Sequence, residues 1–315
     1  MLIGENSWKN NCSWPRGMSC FLTEERSRIL SNSSWLQLIA REKVRFSQKT
    51  GNLRFTCDAD LFFSEFFDWE NWIGTTWEVI FLLEKCVAIL CVSEFIKKKF
   101  LQGINGDVKK VHVLYNGVER KLLRFPIKNK EVLFVGRLVP EKGVHFYVEA
   151  LKLISDYHPE WRFGLIGSFR LGDNENTNSY ASKVIKSFKS IGSQAHFYGF
   201  QDNTFVQEKM KSASIIVIPS LWQEPFGLVV AEAMSNGTCI IASRVGGIPE
   251  IIESNGILIN NINHKKLSEM IDHLIKNDKL RKNFQRKAWK NFRFYSDISS
   301  KRLDYFRKII FLNSA

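Results

Sequence analysis

Residues 131–143 read EVLFVGRLVPEKG, and this stretch decides the fold. Residues 131–136 form an apolar run that ends in glycine, which is typical of a strand buried on both faces of a sheet. Arg137 and Lys142 follow five positions apart in a turn, and residues 144–156 then place apolar side chains at helical spacing. A strand, a short turn and a helix in this order predict one βαβ unit of a parallel sheet.

The same alternation continues through the rest of the chain. Five more strands are predicted, at residues 162–167, 195–199, 214–219, 238–242 and 256–259. Helical stretches, residues 180–191 among them, lie between most of these strands, and two more follow Asn263. This pattern predicts an α/β fold with a doubly wound parallel sheet, which binds ligands at the carboxyl ends of its strands.

The first 118 residues follow the pattern less clearly. Residues 87–93 and 111–115 are predicted strands and residues 94–101 a helix, but no opening strand leads into a glycine-rich turn. Residues 119–130 are polar, basic and broken by Pro126, which indicates a linker. The predicted organisation is a shortened N-terminal lobe, a linker, a Rossmann-like domain and a C-terminal helix packing back toward the N-terminal lobe, at residues 1–118, 119–130, 131–294 and 295–315.

Residues 224–232 read EPFGLVVAE and carry two glutamates separated by seven residues. Pro225 suits a first helical turn and Gly227 permits close approach of the backbone, so a helix is predicted to start near residues 226–227. The exposed amides and positive dipole end of that helix attract a phosphate or a sugar hydroxyl. Glu224 stands just before the helix, where it can project into a binding site.

Glu232 is the only charged residue in residues 228–234, LVVAEAM. A carboxylate on an otherwise apolar helix is costly unless it is hydrogen-bonded. Two ribose hydroxyls would satisfy it. The alternative is a structural pair with a core cation such as Arg244.

Two glycine-containing turns give further candidates, each with a plain structural alternative. Arg137 and Lys142 at the end of a strand suit a diphosphate, although such loops also occur as solvated turns. Gly246 and Gly247 open a helix after the strand at residues 238–242, and their amides could bind an anion. Tight-turn geometry alone would also place two glycines there.

Composition sets limits on the partners. The chain has 45 Lys and Arg against 32 Asp and Glu, a formal net charge of +13. This excess favours phosphorylated sugars, anionic membranes or nucleic acid, or reflects only a lysine-rich surface. No nucleic-acid-binding motif is present, so nucleic acid is not expected. Residues 97–99 with Lys109 and Lys110 could meet a lipid-linked acceptor or anionic headgroups, or form a solvated helix face.

The cysteines and apolar runs bear on location. The six cysteines form no CxxC pair and no histidine precedes His112, so a Cys/His zinc site in the first third is not expected. The N-terminus lacks the pattern of a signal peptide, and the apolar runs are too short or too charged to span a bilayer. We therefore expect a cytoplasmic protein with reduced thiols, in at most peripheral contact with the cytoplasmic face of an inner membrane.

Taken together, the motifs resemble the family 4 retaining glycosyltransferases of the GT-B fold, which have two Rossmann-like domains facing a cleft. The resemblance covers roughly residues 86–315, because many separate motifs occur in the order typical of that family. They lie at residues 92–95, 116–118, 136–143, 167, 199, 219–220, 224–232 and 246–250. Residues 166–191 resemble, more weakly, enzymes that add sugars to the lipopolysaccharide core.

The resemblance implies a role for each matching residue. Arg137 and Lys142 would neutralise the diphosphate of a nucleotide-sugar donor, most simply a UDP-sugar, and stabilise it as the leaving group. Glu224 would contact the hydroxyls of the transferred hexosyl or N-acetylhexosaminyl group. These three are the implied catalytic residues, and the reaction would need no metal and no cofactor because the cations and a helix end supply the electrostatics.

Further contacts with the donor are implied by the same resemblance. The amides of Phe226, Gly227 and Leu228 would hold the sugar and the distal phosphate, and Glu232 would bind the ribose. Residues 197–200 would lie beside the base. The acceptor would be a cell-surface glycan or a lipid-linked saccharide.

The first 85 residues depart from that family. They lack its glycine-rich loop and its histidine near the reacting sugar, and residues 58–65 offer acids instead. A divergent acceptor lobe, a truncated or frame-shifted product and a donor-binding remnant without catalysis all fit. The alternative to an active transferase is therefore an inactive nucleotide-sugar-binding protein.

Overall fold

The computed structural model describes residues 18–22, 44–46, 53–56, 88–102, 108–120, 124–168 and 179–312. The chain divides into two compact units. One contains the residues up to Tyr115 together with those from Ser299 onward, and the other runs from Asn116 to Ile298. Residues 58–65, whose acids replace the expected histidine, lie outside the described residues.

The second unit contains a six-stranded parallel sheet. Its strands are β6 (Asn129–Val135), β7 (Arg162–Ile166), β8 (Ala195–Gly199), β9 (Ala213–Ile218), β10 (Cys239–Ser243) and β11 (Ile257–Ile259). Their spatial order is β11-β10-β9-β6-β7-β8. The chain therefore starts in the middle of the sheet, builds outward to β8, and returns to the middle at β9. This is the order of a doubly wound Rossmann fold, and it confirms the predicted parallel sheet.

Helices connect these strands and cover both faces of the sheet. In chain order the helices of this unit are α2 (Val144–Lys152), α3 (Ser179–Lys189), α4 (Asn203–Ser212), α5 (Leu228–Ser235), α6 (Ile248–Ile252), α7 (His264–Lys276) and α8 (Asp278–Lys290). Helix α2 lies against α3 and α7, whereas α5 lies against α4 and α8. The main core forms where α2, α3 and α7 cover buried residues of β6, β7, β9 and β10. Because every strand in the middle of the sheet is covered on both faces, these strands are apolar almost throughout.

Part of the predicted linker is packed into this unit. The Arg120 guanidinium lies 3.4 Å from the centre of the Trp289 ring. The Lys128 ammonium donates to the carbonyls of Met210 and Asn236 at 3.2 and 2.8 Å, and so caps the carboxyl ends of α4 and α5. These contacts explain why residues 116–128 group with the second unit rather than standing free between two units.

The first unit contains a mixed sheet. Its strands are β1 (Met18–Leu22), β2 (Val44–Phe46), β3 (Leu53–Thr56), β4 (Ala88–Cys91) and β5 (Val111–Val113), in the order β2-β3-β1-β4-β5. The two strands predicted from sequence, β4 and β5, pair in parallel, and the remaining pairs are antiparallel. Helix α1 (Glu94–Phe100) follows β4, with the Ser93 hydroxyl accepting from the amide of Ile96 at its start.

The last helix, α9 (Ser296–Leu312), starts in the second unit and ends in the first. In the first unit the ring of Phe306 on α9 lies 4.9 Å from the His112 ring on β5. The Ser299 hydroxyl donates to the Tyr115 carbonyl at 2.9 Å. The predicted C-terminal helix is thus present, and these contacts attach it to the end of β5. In the described part of the chain no helix is long and apolar enough to cross a bilayer.

The Tyr147 hydroxyl gives a direct test of how the sheet and α2 are joined. It is fully buried and lies 2.9 Å from the carbonyls of Val132 on β6 and Gly164 on β7. Tyr147→Phe removes this donor, and we expect the free energy of unfolding to fall by about 1–2 kcal/mol. Chemical denaturation measures it. Tyr157→Phe is the control, because Tyr157 is 76% exposed; an equal loss in both variants would contradict the assignment.

Candidate functional site

The candidate site lies where the chain order of the parallel sheet reverses. Strands β6 and β9 are neighbours in the sheet although two strands separate them in sequence. The connections that follow β6 and β9 therefore go to opposite sides of the sheet. A crevice forms between them at the carboxyl ends of the two strands. Residues 136–143 follow β6 and residues 219–227 follow β9. The topology thus brings together the two segments that carry the predicted cations and acids.

The turn after β6 is held close to its neighbours by backbone contacts. The Gly136 amide donates to the Ile166 carbonyl at 3.1 Å. Gly143 has φ +65°, and a Cβ at this position would lie 1.9 Å from the Pro219 carbonyl oxygen. Only glycine permits this approach. The glycine after Lys142 therefore lets the β6 turn contact the end of β9 directly.

The carbonyl of Glu141 strengthens the same contact. It accepts the amides of Leu221 at 2.8 Å and Trp222 at 3.1 Å. The loop that leads to Glu224 is consequently fixed to the turn that carries Lys142. Neither segment can move without breaking hydrogen bonds to the other.

Lys142 and Glu224 form an ion pair across this contact. Their side chains are 24% and 14% exposed, so the pair is largely shielded from water. The Ser220 hydroxyl also donates to the Glu224 carboxylate at 3.0 Å. An ion pair with an additional hydrogen bond in a shielded site fixes the position of both charges more firmly than a surface pair would.

Arg137 lies in the same turn and is partly exposed. Within the described part of the chain its guanidinium forms no ion pair. Since Lys142 pairs with Glu224, Arg137 is the cation of the turn that has no ion-pair partner among the described residues. In the part of the chain that the structure describes, no hydrogen bond or ion pair joins Arg137 to Lys142 or Glu224.

Helix α5 begins at Leu228, with Gly227 as its N-cap at φ +101°. The prediction of a helix start near residues 226–227 is therefore correct to within about two residues. The Phe226 ring is buried and packs edge-on against Phe294, 5.6 Å between ring centres, which anchors the loop just before the helix. Leu228 is half exposed, so the first turn of α5 faces solvent at the end of β9.

Glu232 lies on α5, four residues after Leu228 and therefore on the same face of the helix. Helical side chains lean toward the N-terminus, so the carboxylate is directed toward the exposed first turn. It has no hydrogen-bond or ion-pair partner among the described residues. Burial raises the pKa of Glu232 to about 7, far above the ordinary value of a glutamate.

The structure decides two questions that the sequence left open: whether Arg244 pairs with Glu232, and whether the amides of Gly246 and Gly247 can bind an anion. Arg244 is exposed, so the idea that it serves as a core cation for Glu232 is wrong. At the glycine pair, the Gly246 amide donates to the Gln223 side chain at 2.7 Å and the Gly247 amide to the Glu224 carbonyl at 2.7 Å. Both amides are therefore used to hold the Glu224 loop and do not form an anion site.

Residues 197–200 lie at the end of β8, three strands from β9 in the sheet. Phe197 is half-buried and Phe200 is 53% exposed. The structure places an exposed aromatic ring at this end of the sheet. Its predicted position beside a base stays a prediction.

Two side chains that hold Glu224 and its loop in place were not predicted from sequence. Ser220 bonds to the Glu224 carboxylate, and Gln223 ties the Glu224 loop to the glycine turn. Both lie within four residues of Glu224 in the loop after a buried strand, and that proximity was the available signal. In the described residues no group of three or more His, Cys, Asp or Glu side chains could hold a metal ion.

Comparison with known proteins places this chain in a family. Residues 118–291 match the family model described as glycosyl transferases group 1. An uncharacterised glycosyltransferase of Methanocaldococcus jannaschii is 34% identical over 198 residues, which is 62% of this chain and 51% of that protein. Spore coat protein SA of Bacillus subtilis is 31% identical over 239 residues, 67% of this chain and 62% of that protein. The chain spans about half to three-fifths of the length of these curated relatives.

The fold is also found in solved structures. The crystal structure of Anabaena Alr3699/HepE in complex with UDP aligns with a TM-score of 0.64 at 21% identity, covering 74% of this chain and 68% of that chain. At this identity the likeness bears on the fold alone. It identifies the fold as GT-B, and the predicted fold class is confirmed.

The raised pKa of Glu232 predicts a pH-dependent penalty on stability. The folded state keeps this proton up to about pH 7, whereas the unfolded chain loses it near the ordinary value of 4.5. Stability should therefore fall as the pH rises between these two values and then level off. Glu232→Gln has no carboxylate to deprotonate at this position and so lacks the penalty. The free energy of unfolding of the variant minus that of the wild type should therefore grow as the pH rises over the same range.

Denaturation at several pH values from 4.5 to 8 measures this difference. Glu269→Gln, which removes an exposed carboxylate from α7, is the matched control and should show no such growth. A constant difference between Glu232→Gln and wild type would show that the carboxylate is satisfied in the folded protein.

Proposed function

The chain belongs to the glycosyl transferases group 1 family, and on that premise we propose that it transfers a sugar, with retention of configuration, from a nucleotide diphosphate donor to a glycan. The observation that carries the proposal is the Lys142–Glu224 pair at the point where the sheet order reverses. There a cation for phosphate and an acid for sugar hydroxyls are fixed side by side. UDP is the proposed nucleotide, supported by the UDP complex of the Anabaena protein.

The diphosphate is bound by the turn after β6 and the start of α5. Arg137 offers a planar guanidinium without a carboxylate partner among the described residues, so it is the cation most available to a phosphate. Lys142 lies at the same end of the sheet. The first amides of α5 and the positive end of its dipole add further attraction. These groups stabilise the negative charge that builds up on the diphosphate as it leaves.

The transferred sugar lies against Glu224 and the amides of Phe226, Gly227 and Leu228. A carboxylate accepts hydrogen bonds from two neighbouring hydroxyls and so orients the ring. Glu232 binds the ribose, where two hydroxyls satisfy a carboxylate that has no partner in the described residues. Binding would then deprotonate Glu232, because the hydroxyls stabilise the charged form.

The reaction breaks the bond between the anomeric carbon and the phosphate oxygen, and the diphosphate leaves with the electron pair. An acceptor hydroxyl attacks from the same face, and its proton passes to the departing phosphate. This route needs no metal, because fixed cations and a helix end supply the stabilisation. The proposed acceptor is a cell-surface or lipopolysaccharide-type glycan, which follows from the resemblance of residues 166–191.

Lys142→Ala tests the phosphate contact. We expect UDP affinity to fall about tenfold to a hundredfold, because a charge-assisted contact is lost and Glu224 is left unbalanced beside the phosphate. In Lys142→Ala/Glu224→Gln the repulsion is also removed, so part of the affinity should return. Isothermal titration calorimetry measures both, with Lys186→Ala on the exposed face of α3 as control. Unchanged affinity in Lys142→Ala would remove this lysine from the site.

Glu224→Gln separates binding from catalysis. Because Glu224 is assigned to the sugar and its loss frees the charge of Lys142, UDP affinity should be retained or rise, while donor-dependent transfer or slow donor hydrolysis falls about a hundredfold or more. Donor turnover followed by UDP release measures the effect, with Glu269→Gln as the matched control. If the wild type binds UDP tightly but turns over no donor, the inactive nucleotide-sugar-binding protein is the correct assignment.

A further inference from the structure

Helix α8 and the segment that precedes β6 form one continuous surface of the second unit. Phe125 packs edge-on against Trp289 near the end of α8, with 6.0 Å between ring centres. At the other end, the hydrogen bond from Lys282 lowers the pKa of Asp278, and the nearby charges of Arg281 and Lys130 add to this effect. Phe125 therefore lies beside the end of α8, and Lys130 is near enough to its start to act on Asp278.

The outward side of α8 is strongly cationic. Four exposed cations lie three or four positions apart and so share one face of the helix: Lys279, Lys282, Arg286 and Lys290. Lys287, next to Arg286, is a fifth exposed cation. Arg124 and Lys130 on the adjacent segment are also exposed. We call these seven residues, with Phe125 and Ile127, the α8 basic surface.

Acidic groups do not balance this charge. Asp278 is the only acid in residues 124–130 and 278–290, and it is bonded to Arg281 and Lys282. Lys130 approaches Glu160 at 3.7 Å. Among the described residues Arg286, Lys287 and Lys290 form no ion pair. The surface thus presents several uncompensated positive charges.

Two apolar side chains lie within this cationic surface. Ile127 is 90% exposed and Phe125 is 38% exposed, so the segment presents apolar area to solvent beside the cations. Lys128, between them, turns inward to the ends of α4 and α5 and fixes the segment. The exposure of Ile127 is therefore imposed by an anchored backbone.

We propose that the α8 basic surface docks on an anionic lipid bilayer. Cations attract the headgroups, and an exposed aliphatic side chain gains by entering the boundary of the acyl region. A single-stranded nucleic acid would instead require exposed aromatic rings for base stacking, and the most exposed apolar residue here is an isoleucine. The proposal does not depend on the proposed transferase activity, because lipid binding needs neither donor nor acceptor.

Vesicle co-sedimentation of the full chain tests this directly. The protein should bind vesicles that contain phosphatidylglycerol, should bind phosphatidylcholine vesicles weakly, and should lose binding as salt is raised. Arg286→Glu/Lys287→Glu should reduce the partition coefficient on anionic vesicles about tenfold or more. Ile127→Ser, which changes no charge at a 90% exposed position, should reduce it about threefold to tenfold.

The matched control is Lys183→Glu/Lys186→Glu, which makes the same change in net charge on the exposed face of α3. This variant should bind anionic vesicles nearly as well as the wild type. Equal loss in the α3 and α8 variants would overturn the proposal, since binding would then follow net charge alone. Failure of the wild type to bind, or binding of poly(U) through Arg286 and Lys287 without vesicle binding, would also overturn it. UDP affinity, measured in the same variants, should not change, which separates this outcome from failure of the proposed function.

Discussion

The ion pair between Lys142 and Glu224 joins the two halves of the six-stranded parallel sheet. Lys142 follows β6 and Glu224 follows β9, and these strands are neighbours because the chain returns to the middle of the sheet after β8. The two connections diverge at such a reversal, so the loops that border the crevice need interactions that hold them together. Here a shielded pair of opposite charges, supported by Ser220, does so. The remaining features of the site can be understood as ways of holding this pair in place.

Close backbone contact is the main support. A Cβ on Gly143 would collide with the Pro219 carbonyl, and a Cβ on Gly246 would lie 2.2 Å from the Glu224 carbonyl oxygen. The loops after β6 and β10 therefore each approach the loop after β9 at the level of the backbone. Amides of these loops donate to carbonyls of a neighbouring loop or, at Gly246, to the Gln223 side chain, which buries backbone polar groups without leaving them unsatisfied. These hydrogen bonds hold the β9 loop to the loops after β6 and β10.

The same site also contains groups that the folded protein leaves unsatisfied. Arg137 has no carboxylate partner and Glu232 no donor among the described residues, and burial raises the pKa of that carboxyl to about 7. Natural proteins retain such costly groups mainly where a ligand completes them. The proposed nucleotide-sugar donor would complete both groups: its phosphate would be neutralised by the cation, and two ribose hydroxyls would donate hydrogen bonds to the carboxylate.

Much of this was determined by the sequence alone. The apolar runs of β6 to β11 and the helical spacing between them predicted the parallel sheet, because strands buried on both faces must be apolar throughout. Residues 136–143 and 224–232 were recognisable because few turns combine glycines, cations and acids in this way. Element ends were less well determined, and α2 ends at Lys152 rather than at residue 156, since the last turn gives way to a 3₁₀ turn at Ser155–Tyr157.

Only the tertiary structure decided which charges meet. Nothing in the spacing of Lys142 and Glu224, 82 residues apart, indicates that they pair with each other. Whether Gly246 and Gly247 offer their amides to a ligand or to Gln223 and the Glu224 carbonyl likewise depends on how three loops come together. Periodicity and turn chemistry are local properties and can be read along the chain. The partner of a charge is set by which strands become neighbours, and that is a property of the folded sheet.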